Sequence, residues 1–412
     1  MGNRPLEGIR VVEMATFIAA PCTARFLADL GAEVIKVEPP MGDPLRYTAV
    51  NEGRPLDQKE NTSYDLENAG KTCISLNTKS EEGREALEKL LATADVFICN
   101  WRQSPLKRAG LDWETLHEKY PKLVYGYVSG YGEKGPDKDL PGFDFTAFYA
   151  RGGILGPLRD KNSLPMLTVQ GFGDHQVAMN LAAGVLAALF KAKMTGEGDH
   201  VVVSLFHSAI WDISLMLQAS QYGADCTQYP MERWKLGNPL VLCYETADGQ
   251  WLQIAMPQYD RHYPILMNAM GYPELADDAR YYPQKNLIPN REEFSAWITA
   301  EFKKKTCDEW CKLLDANDLP YAIAQEWDSL LEDKQAWASD CFYEMSYSNG
   351  NKRTLVRPPV LFDQMGLPPY ERGPYLGEQT KDILGELGYS AEAIDELIKS
   401  GAAIDMDPAL RD

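Results

Sequence analysis

Residues 8–38 read GIRVVEMATFIAAPCTARFLADLGAEVIKVE. The β-branched run before Met14 predicts a strand, Cys22 to Leu30 an amphipathic helix, and EVIKVE a second strand. A strand, a helix and another strand within thirty-odd residues is the signature of a parallel pair joined by a crossover. The alternation continues through TCISLN, a helix over Glu81 to Ala92, DVFICN and LVYGYVSGY, which predicts an α/β parallel sheet. In open sheets of this kind ligands collect at the carboxyl ends of strands. The loops after Met14, Glu38, Asn77, Asn100 and Tyr131 are therefore where a site is sought.

Beyond the sheet, residues 133–173 are rich in Gly, Pro and Asp and lead to an Ala/Leu-rich helix from about His175 to Lys193. Its most apolar part, Val177 to Phe190, is interrupted by Asn180 and is shorter than the roughly 20 apolar residues a bilayer span needs, so it reads as a buried helix. After a further helix over His207 to Tyr222, LVLCYETADGQWLQIAMP changes the pattern to a hairpin turning at Asp248-Gly249. This change marks a second domain over residues 225–325, and the chain length of 412 also favours two domains.

Lys and Arg number 41 against 60 Asp and Glu, a net charge of −19, so the overall field repels nucleic acid and anionic membranes. An anionic small molecule must then be held by a local basic cluster. The start MGNRPLEGIRVVEMA lacks the pattern of a secretory signal, and a cytoplasmic location is expected. Eight scattered cysteines without a CxxC read as reduced core thiols. Cys307 and Cys311 share a helix face but lack further ligands, so no metal is expected.

The basic cluster follows DVFICN. Trp101 to Arg108 holds Arg102, Lys107 and Arg108 and no acid, and Lys36, Arg46, Lys71 and Lys79 stand at or near other strand ends. It is either a solvated surface or a phosphate site. Asp174 opens the Ala/Leu-rich helix behind Gly171 and Gly173, where a carboxylate can cap the helix or, stabilised by the positive helix end, do chemistry. Nucleotide fingerprints fail: Asp65 stands where a P-loop ending in Gly70-Lys71-Thr72 needs its first Gly. GYVSG around Ser129 has the wrong spacing for a nucleophile elbow.

Taken in order, PLEGIRVVEMATFIAAPCTARFLADLGAEVIKVEPPMGDPLR, ENAGKTCISLNTKSEEG, ADVFICNW, GYGEKGP, GFD and GDHQ resemble the class III coenzyme A transferases over essentially the whole chain. NTSYDLENAGK and GFGDHQ are most similar to the branch acting on cinnamoyl-CoA and phenyllactate in amino-acid-fermenting anaerobes. The resemblance implies an interlocked homodimer. Each chain would have a Rossmann-like large domain over 1–220, a smaller α+β domain, and a segment over 330–412 returning to the large domain. It implies Asp174 as catalytic aspartate, Asp144 near the reacting carboxylate, and Lys79, Asn100, Trp101 and Arg108 at the coenzyme A site. Backbone N–H groups near Phe17 and Ile18, and those at the start of the Asp174 helix, are the candidate oxyanion donors.

The implied reaction moves coenzyme A from an aryl or branched 2-enoyl thioester to a 2-hydroxy acid through an aspartyl-CoA thioester. It needs no prosthetic group and would feed a separate 2-hydroxyacyl-CoA dehydratase. Ile18 and Pro39 stand where some formyl-CoA transferases have Gln and Arg, which points away from small dianionic acids. Two alternatives share the fold. A racemase of the α-methylacyl-CoA type would pair the aspartate with a His in GHD, where this chain has Gly142-Phe143-Asp144. The other is a non-catalytic CoA-binding protein.

Overall fold

The computed structural model describes residues 4–223, 229–368 and 371–411. The chain divides into two compact units. One comprises Met1–Leu155, Leu167–Ser214 and Lys334–Asp412, the other Gly156–Met166 and Leu215–Asp333. The boundaries differ from the sequence reading: the first unit's opening part ends at Ser214 rather than 220, residues 156–166 go with the second unit, and that unit runs to Asp333, so the returning segment begins at Lys334 rather than 330. The second difference has a local cause. The Met231 N–H donates to the Arg159 carbonyl at 2.9 Å and its carbonyl accepts from the Lys161 N–H at 2.6 Å, which ties that loop down as a short bridge.

The first unit is built on six parallel strands: β1 (Arg10–Met14), β2 (Glu33–Glu38), β3 (Thr72–Leu76), β4 (Val96–Cys99), β5 (Val124–Ser129) and β6 (His200–Ser204). Their spatial order is β3-β2-β1-β4-β5-β6, and the short strand Ala403–Ile404 adds antiparallel to β3. That is the doubly wound order, with a topological switch point between β1 and β4. Both faces are covered, as a parallel sheet requires. Val12 and Met14 pack with Ile35, Val37 and Ile74 against Leu87 and Leu90 of α3 (Glu81–Leu91) and against Ile383, Leu384 and Leu397 from the chain's end. Val11, Val34, Ile98 and Val124 face the other way, onto α1 (Ala19–Asp29).

That second layer also contains the long helix Phe172–Thr195, the Ala/Leu-rich stretch of the sequence. At 24 residues it is long and apolar enough to cross a membrane by length and composition alone. It is buried on one face only: Val177, Leu181, Val185 and Leu189 lie in the core, whereas Phe190 and Met194 are exposed. The expectation of a fully buried helix is corrected to that extent. Thr23 anchors α1 to it, its hydroxyl lying 3.1 Å from the Ala178 carbonyl.

The returning segment closes the far edge of the sheet. Gln379 accepts from the Cys73 N–H at 2.8 Å, and Thr380 accepts from the Ser75 N–H at 3.1 Å. Before that, Phe342–Ser346 and Lys352–Val356 form an antiparallel hairpin. In the second unit Cys243–Glu245, Trp251–Ile254 and Tyr321–Ile323 form a three-stranded antiparallel sheet, the first two joined by the Asp248-Gly249 turn, with Gly249 at φ 78. Helices Arg291–Phe302 and Cys307–Ala316 complete its own core around Phe294, Phe302 and Trp310.

Candidate active site

A cleft of ≈ 250 Å³ opens at the carboxyl ends of β1, β4 and β5, which is the switch point of the sheet. The loop after β1 forms one wall. Phe17 adopts φ 64, a left-handed conformation costly for an aromatic residue, and its N–H donates to Asp43 Oδ1 at 3.0 Å. Asn100, at the end of β4, clamps the same loop. It donates to the Thr16 carbonyl at 2.8 Å and accepts from the Thr16 N–H at 3.1 Å.

Two carboxylates face each other across a helix start. Asp174 lies in the first turn of the long helix, whose N-cap is Gly171 at φ 79. The capping role considered for Asp174 is taken by Asp144, on the single π-helical turn Asp144–Ala150: its Oδ1 accepts from the Gly173 N–H at 3.1 Å. Only glycine fits there, because a Cβ on residue 173 would collide with the Phe148 ring and Asp144 Oδ1. The loop carrying Asp144 is itself seated by glycines, since Gly130 after β5 and Gly142 meet backbone on backbone.

Electrostatics separate the two acids. Burial raises Asp144 to about 6, against the N–H groups of Gly173, Gly171 and Phe172 that favour its charge. Burial and the neighbouring Asp144 push Asp174 up to about 7, opposed by His175. No described residue donates a hydrogen bond to the Asp174 carboxylate, and Asp144 Oδ2 is buried without a partner. An acid poised near neutrality and without hydrogen-bond partners, at the floor of a cleft, has the properties of a nucleophile or a proton carrier.

The other sequence-derived residues fall into three places. Phe17 and Ile18 line the cleft, but the Phe17 N–H is committed to Asp43, and the Gly173 N–H to Asp144. The Ile18 N–H, at the N-cap of α1, has no described partner. Trp101 is half-buried against the sheet's second core. Arg108 is exposed on the short helix Gln103–Ala109, donates to Ser104 at 2.7 Å, and lines a hollow of ≈ 380 Å³ together with Lys107, Arg84 and Lys119. Lys79 is exposed on the loop after β3, next to Thr78 at that hollow's edge.

Of the aromatic residues near the strand ends, Phe17 lines the cleft, whereas Tyr64 and Phe148 are buried elsewhere. Phe143 takes their place: its ring is exposed and meets Phe17 edge-on at 6.4 Å, making an apolar wall with Leu140 and Pro141. Arg102, Gln103 and Lys138 also line the cleft. Arg102 was legible within the basic run. Lys138 sits in a Gly/Pro-rich loop with no spacing signal to single it out.

Tyr64 belongs to a network of buried charge beneath the Phe17 loop. Lys36 Nζ lies 2.6 Å from Glu13 and 3.0 Å from Asp43, and Lys71 Nζ lies 2.6 Å from Glu13. Arg46 grips Glu38 with two bonds of 2.9 and 2.7 Å, and the Tyr64 hydroxyl donates to Glu38 at 2.7 Å. Burial alone would raise Glu38, but Arg46 holds it down at about 2. Lys36, Arg46 and Lys71 are therefore structural cations, not the phosphate ligands their strand-end positions suggested.

Sequence spacing also gave no hint of a second cluster. The Cys22 Sγ of α1, a carboxylate oxygen of Glu67 on α2 (Thr62–Asn68) and an imidazole nitrogen of His175 lie within 4.8 Å of one another. His175 Nε2 stands 2.8 Å from Glu67 Oε1, so the imidazole is turned toward α2 and does not line the cleft.

Comparison with known proteins identifies the family. The profile described as CoA-transferase family III matches residues 6–380. The chain is 52% identical over 394 residues, 95% of its length and 96% of the relative's, to the cinnamoyl-CoA:phenyllactate CoA-transferase of Clostridium sporogenes. It is 41% identical over 390 residues, 95% and 97% of the two chains, to the (R)-2-hydroxy-4-methylpentanoate CoA-transferase of Clostridioides difficile. Among solved structures, a CAIB/BAIF family protein from Brucella suis superposes with a TM-score of 0.78 at 27% identity, covering 93% of this chain and 100% of that one.

Proposed function

The chain belongs to CoA-transferase family III and is a transferase acting on coenzyme A thioesters, and from that premise we propose its substrates and the roles of its residues. It moves coenzyme A from an aryl or branched 2-enoyl-CoA, such as cinnamoyl-CoA, to a 2-hydroxy acid such as phenyllactate. The observation that carries this reading is the Asp174 carboxylate, raised toward neutrality and without hydrogen-bond partners, beneath an apolar wall of Phe17 and Phe143. The wall suits an aryl or branched acyl group and offers a small dianionic acid little. The names of the relatives at 52% and 41% identity point the same way.

In this mechanism ionised Asp174 attacks the thioester carbonyl and expels the CoA thiolate, leaving a mixed anhydride. The thiolate then attacks the Asp174 carbonyl carbon and releases the donor acid, giving an aspartyl-CoA thioester. The carboxylate of the 2-hydroxy acid displaces the thiolate to form a second anhydride. The thiolate finally attacks the acceptor's acyl carbon and frees Asp174. One thioester is exchanged for another, so no ATP is consumed. The Ile18 N–H, which has no described partner, is a donor this geometry leaves for the oxyanion.

Arg108 and Lys107, with Lys79 nearby, line the hollow suited to the CoA phosphates, with Asn100 and Trp101 between it and the cleft. Two chains form an interlocked dimer, and the 2-hydroxyacyl-CoA product passes to a dehydratase in amino-acid fermentation. Incubation with cinnamoyl-CoA and phenyllactate should exchange CoA, and intact mass of enzyme quenched during turnover should show a CoA adduct at Asp174. Exchange without any adduct would overturn the covalent route. A two-base racemase is disfavoured because Phe143 carries no proton and His175 is turned onto Glu67. Wash-in of α-deuterium without CoA exchange would restore that reading, and binding without either would mark a non-catalytic protein.

A further inference from the structure

Resting on the reading of Asp174 as nucleophile, we infer that Glu67 and His175, both outside the cleft, form a charge-holding pair that keeps the Asp174 carboxylate ionised. Three acids converge on the start of the long helix: Asp174 itself, Asp144 from the π-helical turn, and Glu67 from α2. The cations on the neighbouring elements are engaged elsewhere. Arg25 of α1 pairs with Asp29 at 3.3 Å, and Lys71, just before β3, is held by Glu13 at 2.6 Å. The Cys22 thiol is pushed well up by burial and stays neutral. Arg102 and Lys138 line the cleft without acting on Asp174, and among the described residues His175 is the titratable group left to balance the acids.

Its position is fixed by the fold. Glu67 is almost fully buried and offers Oε1 to His175 Nε2 at 2.8 Å, while its Oε2 has no partner. Gly171, at φ 79, packs beside the ring: a Cβ there would lie in ordinary contact with His175 Cε1 at 3.6 Å and tightly against Ile18 Cδ1 at 3.2 Å. Burial alone would lower the imidazole, but the Glu67 contact raises it above its ordinary value. The resulting cation sits one residue from a carboxylate that burial and Asp144 drive toward protonation.

The sign follows. Asp174 attacks only when ionised, so removing the positive neighbour raises its pKa further and lowers the rate on the acid side of the profile. Glu67 and His175 are thus positioning residues. They touch no substrate and act through Asp174.

The test is the pH dependence of kcat/KM for CoA exchange by the full chain, in His175→Gln, Glu67→Gln and His175→Lys. In His175→Gln the acid limb should move up by about one pH unit, making the loss at about pH 6 roughly tenfold larger than that at about pH 9. Glu67→Gln removes both the anion that raises Asp174 and the partner that holds the imidazole charged, so it should move the limb less than His175→Gln does, and His175→Lys, which keeps the charge, should hold the limb near its original place. Equal loss at every pH, or an unmoved limb, would overturn the inference. A readout independent of turnover is the imidazole nitrogen resonance. His175 should titrate above the ordinary imidazole value in the unaltered protein and lower in Glu67→Gln. A His175 that titrates at or below the ordinary imidazole value in the unaltered protein would also overturn the pair, whether or not a variant folds. Absence of exchange in the unaltered protein would instead defeat the functional reading and leave the resonance measurement to decide the pair.

Discussion

The first unit buries two sets of charges, and they follow opposite rules. Beneath the Phe17 loop, Glu13, Glu38 and Asp43 are matched by Lys36, Arg46 and Lys71, every one of them buried and paired at 2.6 to 3.0 Å. At the start of the long helix, Asp144 and Asp174 approach each other with one carboxylate half-satisfied and the other without hydrogen bonds. Desolvated charges are costly, and full pairing offsets much of that cost. The first set spends its charges on holding a strained loop at φ 64 in place. The second leaves its acids under-satisfied, and so raised and reactive, in the cleft that loop shapes.

The contrast can be broken most sharply at Asp174. Asp174→Asn should cut CoA exchange by about 10⁵-fold, the scale seen when a covalent nucleophile is lost, with binding of CoA retained. Steady-state exchange together with equilibrium binding checks this, and turnover within tenfold of the unaltered enzyme would remove Asp174 from the chemistry. Next comes the paired network. Lys36→Met, similar in length but uncharged, strips Asp43 of its cation, leaves Glu13 with Lys71 alone, and should cost about 3–5 kcal/mol in urea unfolding. A neutral result would mean that the network is not holding the loop.

Stability distinguishes the two sets by sign. A group whose folded pKa lies above its unfolded value near 4 binds more protons in the native state, so its contribution is lost as pH rises through the folded value. Asp174, raised to about 7, is therefore a liability at pH 8, and Asp174→Asn should stabilise the fold there by about 1–3 kcal/mol and by little at about pH 5. Thermal unfolding at the two pH values reads the difference. The smallest effect belongs to the surface. Arg108→Ala should raise KM for acyl-CoA about fivefold, near 1 kcal/mol, since the exposed side chain binds phosphate against solvent screening. An unchanged KM for every acyl-CoA would place the phosphates elsewhere.

Much of the fold was legible because parallel strands buried on both faces read as apolar runs, as in Val11-Val12 and Val34–Val37. The hairpin over Phe342–Val356 was not among the expected elements, although Asn349-Gly350 at its tip is a turn signal. Asp174 and Asp144 were found by resemblance, and the structure adds their opposition across Gly173. The roles of Lys36, Arg46 and Lys71 were misread, since a strand-end cation facing a ligand and one facing a buried carboxylate look alike in a linear chain. Glu13 and Lys36 pair because they are register partners on adjacent strands, which no local pattern announces.

By itself, the order of residues determined the alternating sheet, the second domain, the family likeness and the aspartate at the helix start, because hydrophobic period and motif order are local properties. Tertiary structure alone decided which acids are paired and which are left exposed to one another. It also decided that Glu67, 108 residues distant in sequence, holds His175, and that Phe143 rather than Tyr64 walls the cleft. Protonation and reactivity depend on desolvation and on charges a few ångströms away, and only the folded chain sets those distances.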